Sequence, residues 1–405
     1  MDSGTKNNQL GFALLLGVFS ALGPFTFDMY LPSFPQLMKL FESSASLIQV
    51  SLTASLLGVG LGQIVMGSLS DVHGRRKPLL FAMIVYCLSS FGCAFSPNIA
   101  IFIVLRFIQG FAAAAGMVIS RAMVRDLYSG SELTKFFSLL TLIGNIAPLL
   151  APILGSAIIT FTSWSGVFIF LGFLGILLWT ITFLKLKESL PLEKRVSSNL
   201  KELLRNFKTL LTNRTFMGYA LAQGIMMSGV FAYISGTPFI YQKIYGVSPQ
   251  IFSVLFALNG ISLILGAQLV RRIVGKIAER NILLIGLSVA SVSSTAVLIV
   301  VLTHGPLFAL VIPLFLFIAS LGVIAPVSFT LAMESQGHIA GSAAALLGVI
   351  PFLLGSITSP LVGIAGEYSA MPLGIILFTT SLLAIIAYGI LVKKPATGKI
   401  YENKL

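Results

Sequence analysis

Apolar residues run through this chain in long blocks, broken by short polar gaps. A helix that crosses the ~30 Å hydrocarbon core of a bilayer needs about 20 apolar residues. Windows of that length predict spans over residues 10–34, 46–70, 78–96, 98–122, 136–161 and 165–184. A polar, charged segment, 185–212, follows, and six more spans are expected over 215–241, 250–270, 282–303, 307–332, 341–364 and 370–392. The pattern predicts an all-α polytopic membrane protein of twelve transmembrane helices in two six-helix bundles. The expected divisions are a first bundle over 1–184, a linker over 185–212, and a second bundle with a short tail over 213–405. The first apolar run continues past Asp28 toward Pro35, longer than the core of a signal peptide, and reads as an uncleaved span.

Composition agrees with lipid as the main solvent. Of 405 residues, 56% are hydrophobic and only 10% charged, with a mean hydropathy of +0.98. One or two soluble cores could not enclose so much apolar surface, and disordered chains are polar and highly charged. The net charge of +13 does not point to nucleic acid, because the basic residues sit in the gaps between spans instead of gathering in one motif. Their distribution sets orientation. One side receives Lys6; Arg75, Arg76 and Lys77; Arg121, Arg125 and Lys135; the seven linker cations and Arg214; Arg271, Arg272, Lys276 and Arg280; and Lys393, Lys394, Lys399 and Lys404. These are 23 of the 26 lysines and arginines. The other side receives Lys39 and Lys243, while Arg106 falls inside a span. Both termini are therefore expected to be cytoplasmic. Cys87 and Cys93 share one predicted helix about 9 Å apart along its axis, too far for a disulfide.

The linker carries Leu200, Leu203, Leu204, Phe207, Leu210 and Leu211 at helical spacing, with Lys201, Arg205 and Lys208 on other faces. Such a basic amphipathic helix lies on an anionic leaflet. It reads as a strap between the halves, with a regulatory role as the alternative. Traces of duplication are faint: Gly67 with Arg75, Arg76 and Lys77 recurs loosely as Gly266 with Arg271, Arg272, Gly275 and Lys276, about 200 residues later.

The first basic loop reads Gly67-Ser-Leu-Ser-Asp71-Val-His-Gly74-Arg75-Arg76-Lys77, and it resembles the signature loop of the major facilitator superfamily. The alternative is a simple orientation signal. Leu105-Arg106-Phe-Ile-Gln109-Gly110 is similar to that superfamily's intramembrane arginine motif. Ala147-Pro148-Leu-Leu-Ala151-Pro152-Ile-Leu-Gly155 looks like its antiporter motif, with alanine in place of some glycines. Asp28-Met-Tyr30-Leu-Pro, together with Arg121-Ala-Met-Val-Arg125-Asp126-Leu-Tyr128, resembles the bicyclomycin- and chloramphenicol-resistance (Bcr/CflA) branch of drug:proton antiporters. The resemblance implies midplane binding between two bundles of inverted repeats. It also implies a gate at the cytoplasmic face, formed by Gly67, Asp71, Gly74, Arg75, Arg76 and Arg121, that latches the two halves in the outward-facing state. A bacterial cytoplasmic (inner) membrane location is implied as well.

A census of charge inside the spans singles out two residues. Of 13 acids, only Asp28 lies well within a span, and Arg106 is its only basic counterpart. A charge deep in lipid costs several kcal/mol unless it faces a cavity and finds a partner. Asp28 is expected to exchange the coupled proton and recognise cations, with Arg106 as a permanent charge that organises the field. A fixed ion pair joining two helices is the alternative. Further substrate-contact candidates are Tyr30, Gln109, Ala113, Asn145, Gln223, Met226, Met227, Asn259 and Phe352. Methionine and aromatic side chains repack around varied shapes, although the favoured reading of each position taken singly is a helix-packing or lipid-facing residue.

No phosphate-binding loop, cysteine–histidine metal set or serine elbow appears in the sequence, and neither His304 nor His338 has a partner set. The expectation is proton-coupled export of small amphipathic compounds, driven by the proton motive force without cofactor or metal. The expected partners are the small-molecule substrate, protons and membrane lipids, and the expected state is a monomer. The alternatives are a dedicated metabolite carrier of the same fold, a membrane sensor, or a lipid-handling enzyme.

Overall fold

The computed structural model describes residues 3–195, 200–334, 336 and 339–392. The tail cations Lys393, Lys394, Lys399 and Lys404, and His338, lie outside these residues, as do the side chains of Lys6, Leu200, Lys201, Leu203 and Leu204. The chain folds into helices α1 (Ser3–Asp28), α2 (Phe34–Leu40), α3 (Ala45–His73), α4 (Arg76–Ala94), α5 (Ile99–Leu127), α6 (Gly130–Phe161) and α7 (Trp164–Lys185). After the linker helix α8 (Leu200–Thr212) come α9 (Arg214–Phe239), α10 (Pro249–Ile273), α11 (Glu279–Leu302), α12 (Leu307–Met333), α13 (Ala340–Leu361) and α14 (Met371–Leu391). Among the described residues, twelve helices are long and apolar enough to cross a membrane. Closed helices suit lipid because they satisfy every backbone group within the segment. Several begin on a polar cap: Ser44, Asn98, Asn213 and Ser248 each accept the N–H three residues ahead, occupying a donor the helix leaves free.

The first span differs from expectation. It runs from Gly11 to Leu40 and is broken instead of continuous. In an unbroken helix the Asp28 carbonyl would accept the N–H of residue 32, but that residue is Pro32, which has none. The helix stops at Asp28, a turn follows, and a short 3₁₀ segment, Leu31–Ser33, leads into α2. Asp28 therefore lies twelve residues short of the end of the span, deeper than a helix ending at residue 34 implies.

Helices α1 and α3–α7 pack into one bundle, and α9–α14 into another. The bundles meet chiefly where α3 lies on α13 and α6 on α10. Duplication is plainer in the packing than in the letters. A Cβ on Gly58 would lie 2.2 Å from the Phe107 carbonyl, and one on Gly110 2.3 Å from that of Ser55, so α3 and α5 touch backbone to backbone. Gly266 against Ala319 (2.0 Å) and Gly322 against Leu263 (2.1 Å) do the same for α10 and α12. Small residues at helix contacts replace the hydrophobic drive that lipid lacks.

The lysine- and arginine-rich ends of the helices share one face of the molecule, the basic end; the opposite face is the far end. Toward the far end, hydrogen bonds tie the bundles together. Gln49 donates to the Ser235 carbonyl (3.2 Å), Ser46 to that of Pro360 (3.1 Å) and Gln242 to that of Pro32 (3.3 Å). Gln250 donates to Thr160 Oγ1 (2.9 Å) and Ser253 to the Pro152 carbonyl (2.9 Å). Phe34 also meets Phe239, with ring centroids 5.8 Å apart. At the basic end the bundles part around a cavity of about 480 Å³.

The antiporter-like motif lies on α6, packed against the broken turn of the first span. Ala147 and Ala151 are buried, and a Cβ on Gly155 would fall 1.8 Å from the carbonyl oxygen of Met29, in the broken turn of the first span. Gly155→Ala should therefore lower stability by about 1–3 kcal/mol through overpacking. Gly144→Ala, on the same helix with nothing within 4 Å of its Cβ position, should leave it unchanged. Thermal unfolding of both variants in detergent checks this, and equal melting temperatures would remove the packing argument.

Candidate functional site

Two charged residues lie deep in the molecule, and the structure separates them. Asp28 is 1% and Arg106 0% exposed, yet no ion pair joins them. The Arg106 guanidinium reaches the same turn of α1 from another side, with Nη2 donating to the Thr26 carbonyl (2.8 Å). The Asp28 carboxylate is not among the groups the guanidinium bonds. The expectation of a shared pair, as a coupling couple or as a fixed bridge, is corrected here.

Arg106 is instead held inside the first bundle by neutral groups. Nη1 donates to Gln109 Oε1, Gln109 Nε2 donates to Ser90 Oγ (2.7 Å), and Ser90 Oγ donates to the Tyr86 carbonyl (2.6 Å). The guanidinium lies 4.2 Å from the Tyr30 ring centroid and 5.4 Å from that of Phe168. Such desolvated cation–π contacts contribute about 2 kcal/mol, offsetting part of the cost of burial. Tyr30, Gln109 and Ala113 are fully buried. Tyr30 and Gln109 thus build the seat of Arg106, and none of the three lines the open cavity.

Asp28 ends α1, where the helix dipole presents its negative end. Its Oδ1 is buried and has no hydrogen-bond partner among the described residues. The carboxylate lies within electrostatic reach of Tyr233 on α9, in the opposite bundle. The Tyr233 hydroxyl accepts from Asn259 Nδ2 (2.8 Å), and its ring stacks on Phe256 with centroids 5.6 Å apart. Tyr233 was not a sequence candidate. A tyrosine among so many apolar residues has no distinguishing spacing, and only its place opposite Asp28 sets it apart.

The remaining candidates are dispersed. Met226 and Asn259 are buried, whereas Asn145, Gln223, Met227 and Phe352 are half-buried. Phe352 packs on Phe231 and against Gly60 of the first bundle. None of them lines the 480 Å³ cavity. Its walls include Gln63, Gly67, Asp71, Arg75, Arg121 and Arg125 of the first bundle, Phe207 of α8 and Ser342 of α13. Four of the six gate residues, Gly67, Asp71, Arg75 and Arg121, therefore border open space, and the ion pairs of this loop stay within the first bundle and linker instead of bridging the halves. Arg75, 2% exposed, is clamped within its own bundle between Asp71 (2.5 Å) and Asp126 (2.8 Å). Its Nη1 also donates to Ser70 Oγ (2.8 Å). Gly74 makes this turn possible with φ +87°, a conformation side chains resist.

Glu188, from the start of the linker, closes the loop. Its carboxylate accepts the backbone N–H groups of Arg75 (2.7 Å), Arg76 (3.2 Å) and Leu190 (3.1 Å), and Arg195 approaches to 3.9 Å. Partial burial raises its pKa, but the three N–H donors and Arg195 outweigh this, holding it below the usual glutamate value.

The profile of the Major Facilitator Superfamily matches residues 14–360. The chain belongs to the major facilitator superfamily. An uncharacterised MFS-type transporter of Bacillus subtilis (strain 168), YdgK, is 49% identical over 386 residues, covering 95% of this chain and 96% of that one. A bicyclomycin resistance protein homolog of Haemophilus influenzae is 31% identical over 377 residues, covering 93% and 95%. Among solved structures, a D-xylose-proton symporter superposes with a TM-score of 0.74 at 16% identity, covering 92% of this chain and 96% of that one. That likeness concerns the fold. Within the superfamily, the protein falls in the Bcr/CflA-like branch. This superfamily member is a multi-pass membrane transporter and not an enzyme.

The Glu188 cap has a testable pH dependence. Its pKa in the fold is lowered, so the stability it contributes is present above the unfolded value of about 4.3. That contribution is lost as pH falls through the lower folded value. Glu188→Gln should melt below wild type at pH 7, and the gap should close as pH falls below about 4. A gap that stays constant across that range would mean the carboxylate charge contributes nothing.

Proposed function

We propose that this transporter exports small amphipathic compounds in exchange for protons, by alternating access, across a bacterial cytoplasmic (inner) membrane. The reading takes the basic end as cytoplasmic, with both termini there, in accord with the bias of lysine and arginine toward that side. In that orientation the open cavity faces the cytoplasm, and the far-end hydrogen bonds close the outside, an inward-open arrangement. The proposed carrier works as a monomer with protons, substrate and lipid as its partners, and the proton motive force stands in place of a cofactor.

One observation carries the reading: among the described residues, the one acid well within a span ends a broken helix, buried, with an unpartnered oxygen and with Tyr233 of the opposite bundle in electrostatic reach. An isolated carboxylate is costly in such a place. A proton or a bound cation each removes that cost, so the two compete for the same oxygen. In the inward-open state, Asp28 would release its proton toward the cytoplasm as cargo binds. Turned outward, it would take up a proton as cargo leaves. Tyr233, whose oxygen already accepts from Asn259, keeps its own proton free to turn toward the charged carboxylate. In this reading Arg106 holds the first bundle together and sets its field, while the proton moves on Asp28. The relative named for bicyclomycin resistance supports drug-like cargo, and a dedicated metabolite carrier of the same fold is the second reading.

The test uses inverted membrane vesicles energised to an acidic lumen, with a panel of cationic, neutral and anionic amphipaths. Each transported compound should release lumenal protons, read by a pH-sensitive dye. Asp28→Asn should abolish that release while membrane insertion persists, and Tyr233→Phe should reduce it several-fold. Wild-type proton release by Asp28→Asn would overturn the assignment.

A further inference from the structure

The lipid-facing side of the first bundle carries a cleft of about 250 Å³ between α4 and α7. Its walls are Met83, Ile84, Cys87, Leu88, Ile176 and Trp179, apolar throughout. From the cleft an aromatic track climbs toward the basic end. Trp179 stacks on Phe183, with centroids 5.1 Å apart and planes 7° from parallel. The Arg76 guanidinium lies 5.8 Å from the Phe183 centroid.

Arg76 is a cation short of partners. Nη2 donates to the Phe183 carbonyl (2.7 Å), but Nε is buried with no acceptor. Among the described residues no carboxylate lies within ion-pairing distance of its guanidinium. Glu188, which accepts its backbone N–H, is shared with Arg75, Leu190 and Arg195. Two more exposed cations lie at the same end of these two helices: Lys77 in the first turn of α4 and Lys185 at the end of α7.

Spacing along the helices fits a single amphiphile. Lys77 precedes Met83, and Trp179 precedes Lys185, by six residues, about 9 Å of rise. The headgroup layer of a bilayer is roughly 5–8 Å thick on each side, so cations at the rim and apolar walls below match the two ends of one phospholipid. An apolar cleft alone would accept any acyl chain; the unneutralised rim selects for a negative phosphate headgroup. We propose that this cleft retains one anionic phospholipid from the leaflet at the basic end. Its acyl chain lies along the apolar walls, and its phosphate rests on Arg76, Lys77 and Lys185.

Native mass spectrometry of the delipidated, full-length protein in detergent tests this, with phosphatidylglycerol or phosphatidylethanolamine of matched chains added. The wild type should bind phosphatidylglycerol at least tenfold more tightly. Each basic residue near a membrane surface contributes about fivefold, so combining Arg76→Gln, Lys77→Gln and Lys185→Gln should erase that preference without changing phosphatidylethanolamine binding. Ile84→Trp, which fills the cleft, should weaken both. Equal binding of the two lipids by wild type would overturn the proposal. A second measurement needs no variant. Cys93 is fully buried and Cys87 half-exposed, so alkylation by N-ethylmaleimide reports on Cys87 in the cleft wall. Phosphatidylglycerol should slow it several-fold and phosphatidylethanolamine should not; equal protection by both would overturn the proposal.

Discussion

A missing N–H at Pro32 governs the arrangement at the centre of this protein. Because that residue cannot bond the Asp28 carbonyl, α1 ends in mid-membrane and not at its surface. Unpaired backbone is tolerated at that depth only where protein covers it or a cavity wets it. The broken turn is covered: α6 presses Gly155 against the Met29 carbonyl, and Ser253 of the other bundle bonds the Pro152 carbonyl one turn away on α6. The same break delivers Asp28, among the described residues the one deeply placed acid, to the boundary between bundles. Helix interruption, close packing and charge placement are three consequences of one proline.

Asp28 and Arg106 illustrate different solutions to the same solvation problem. Arg106 cannot shed its proton, so its surroundings must solvate it permanently. They do so with a carbonyl, an amide and two aromatic faces that leave no room for change. Asp28 has no comparable set of donors, and a carboxyl group, unlike a guanidinium, has a neutral form to retreat to. A cation that cannot lose its charge, held by fixed neighbours, makes a rigid scaffold; an acid with a neutral form makes a site whose state depends on what arrives. That contrast, more than the mere presence of opposite charges, assigns the coupling role to the carboxylate.

The number of spans was legible in the sequence because it follows from bulk physics: lipid demands about twenty apolar residues for each crossing. The motifs were legible for a similar reason, since Gly67 to Lys77 and Ala147 to Gly155 pack through small residues at fixed helical spacing. What sequence could not give was direction around a helix. Arg106 and Asp28 were matched by depth, yet the guanidinium bonds the Thr26 carbonyl and Gln109 instead of the Asp28 carboxylate. Tyr30 and Gln109 have the same character: polar, well placed along the axis, and committed to Arg106 instead of to cargo. Tyr233 escaped notice because its significance lies in what stands across the gap.

The clamp around Arg75 shows how a signature loop serves both stability and motion. Arg75 is neutralised by Asp71 and Asp126, and Glu188 fixes the start of α4, so the loop moves as part of its bundle and does not fray when the halves separate. Yet Asp71 remains 47% exposed and borders the cavity beside Arg121. An acid that is already paired on one side and open on the other can accept a second cation or helix end with little reorganisation. A rigid element with one exposed carboxylate is what rocking bundles need at the face that alternately opens and closes. Strength on the inside of the bundle and availability at its edge are therefore complementary, and a loop built only for strength could not also reach across the gap.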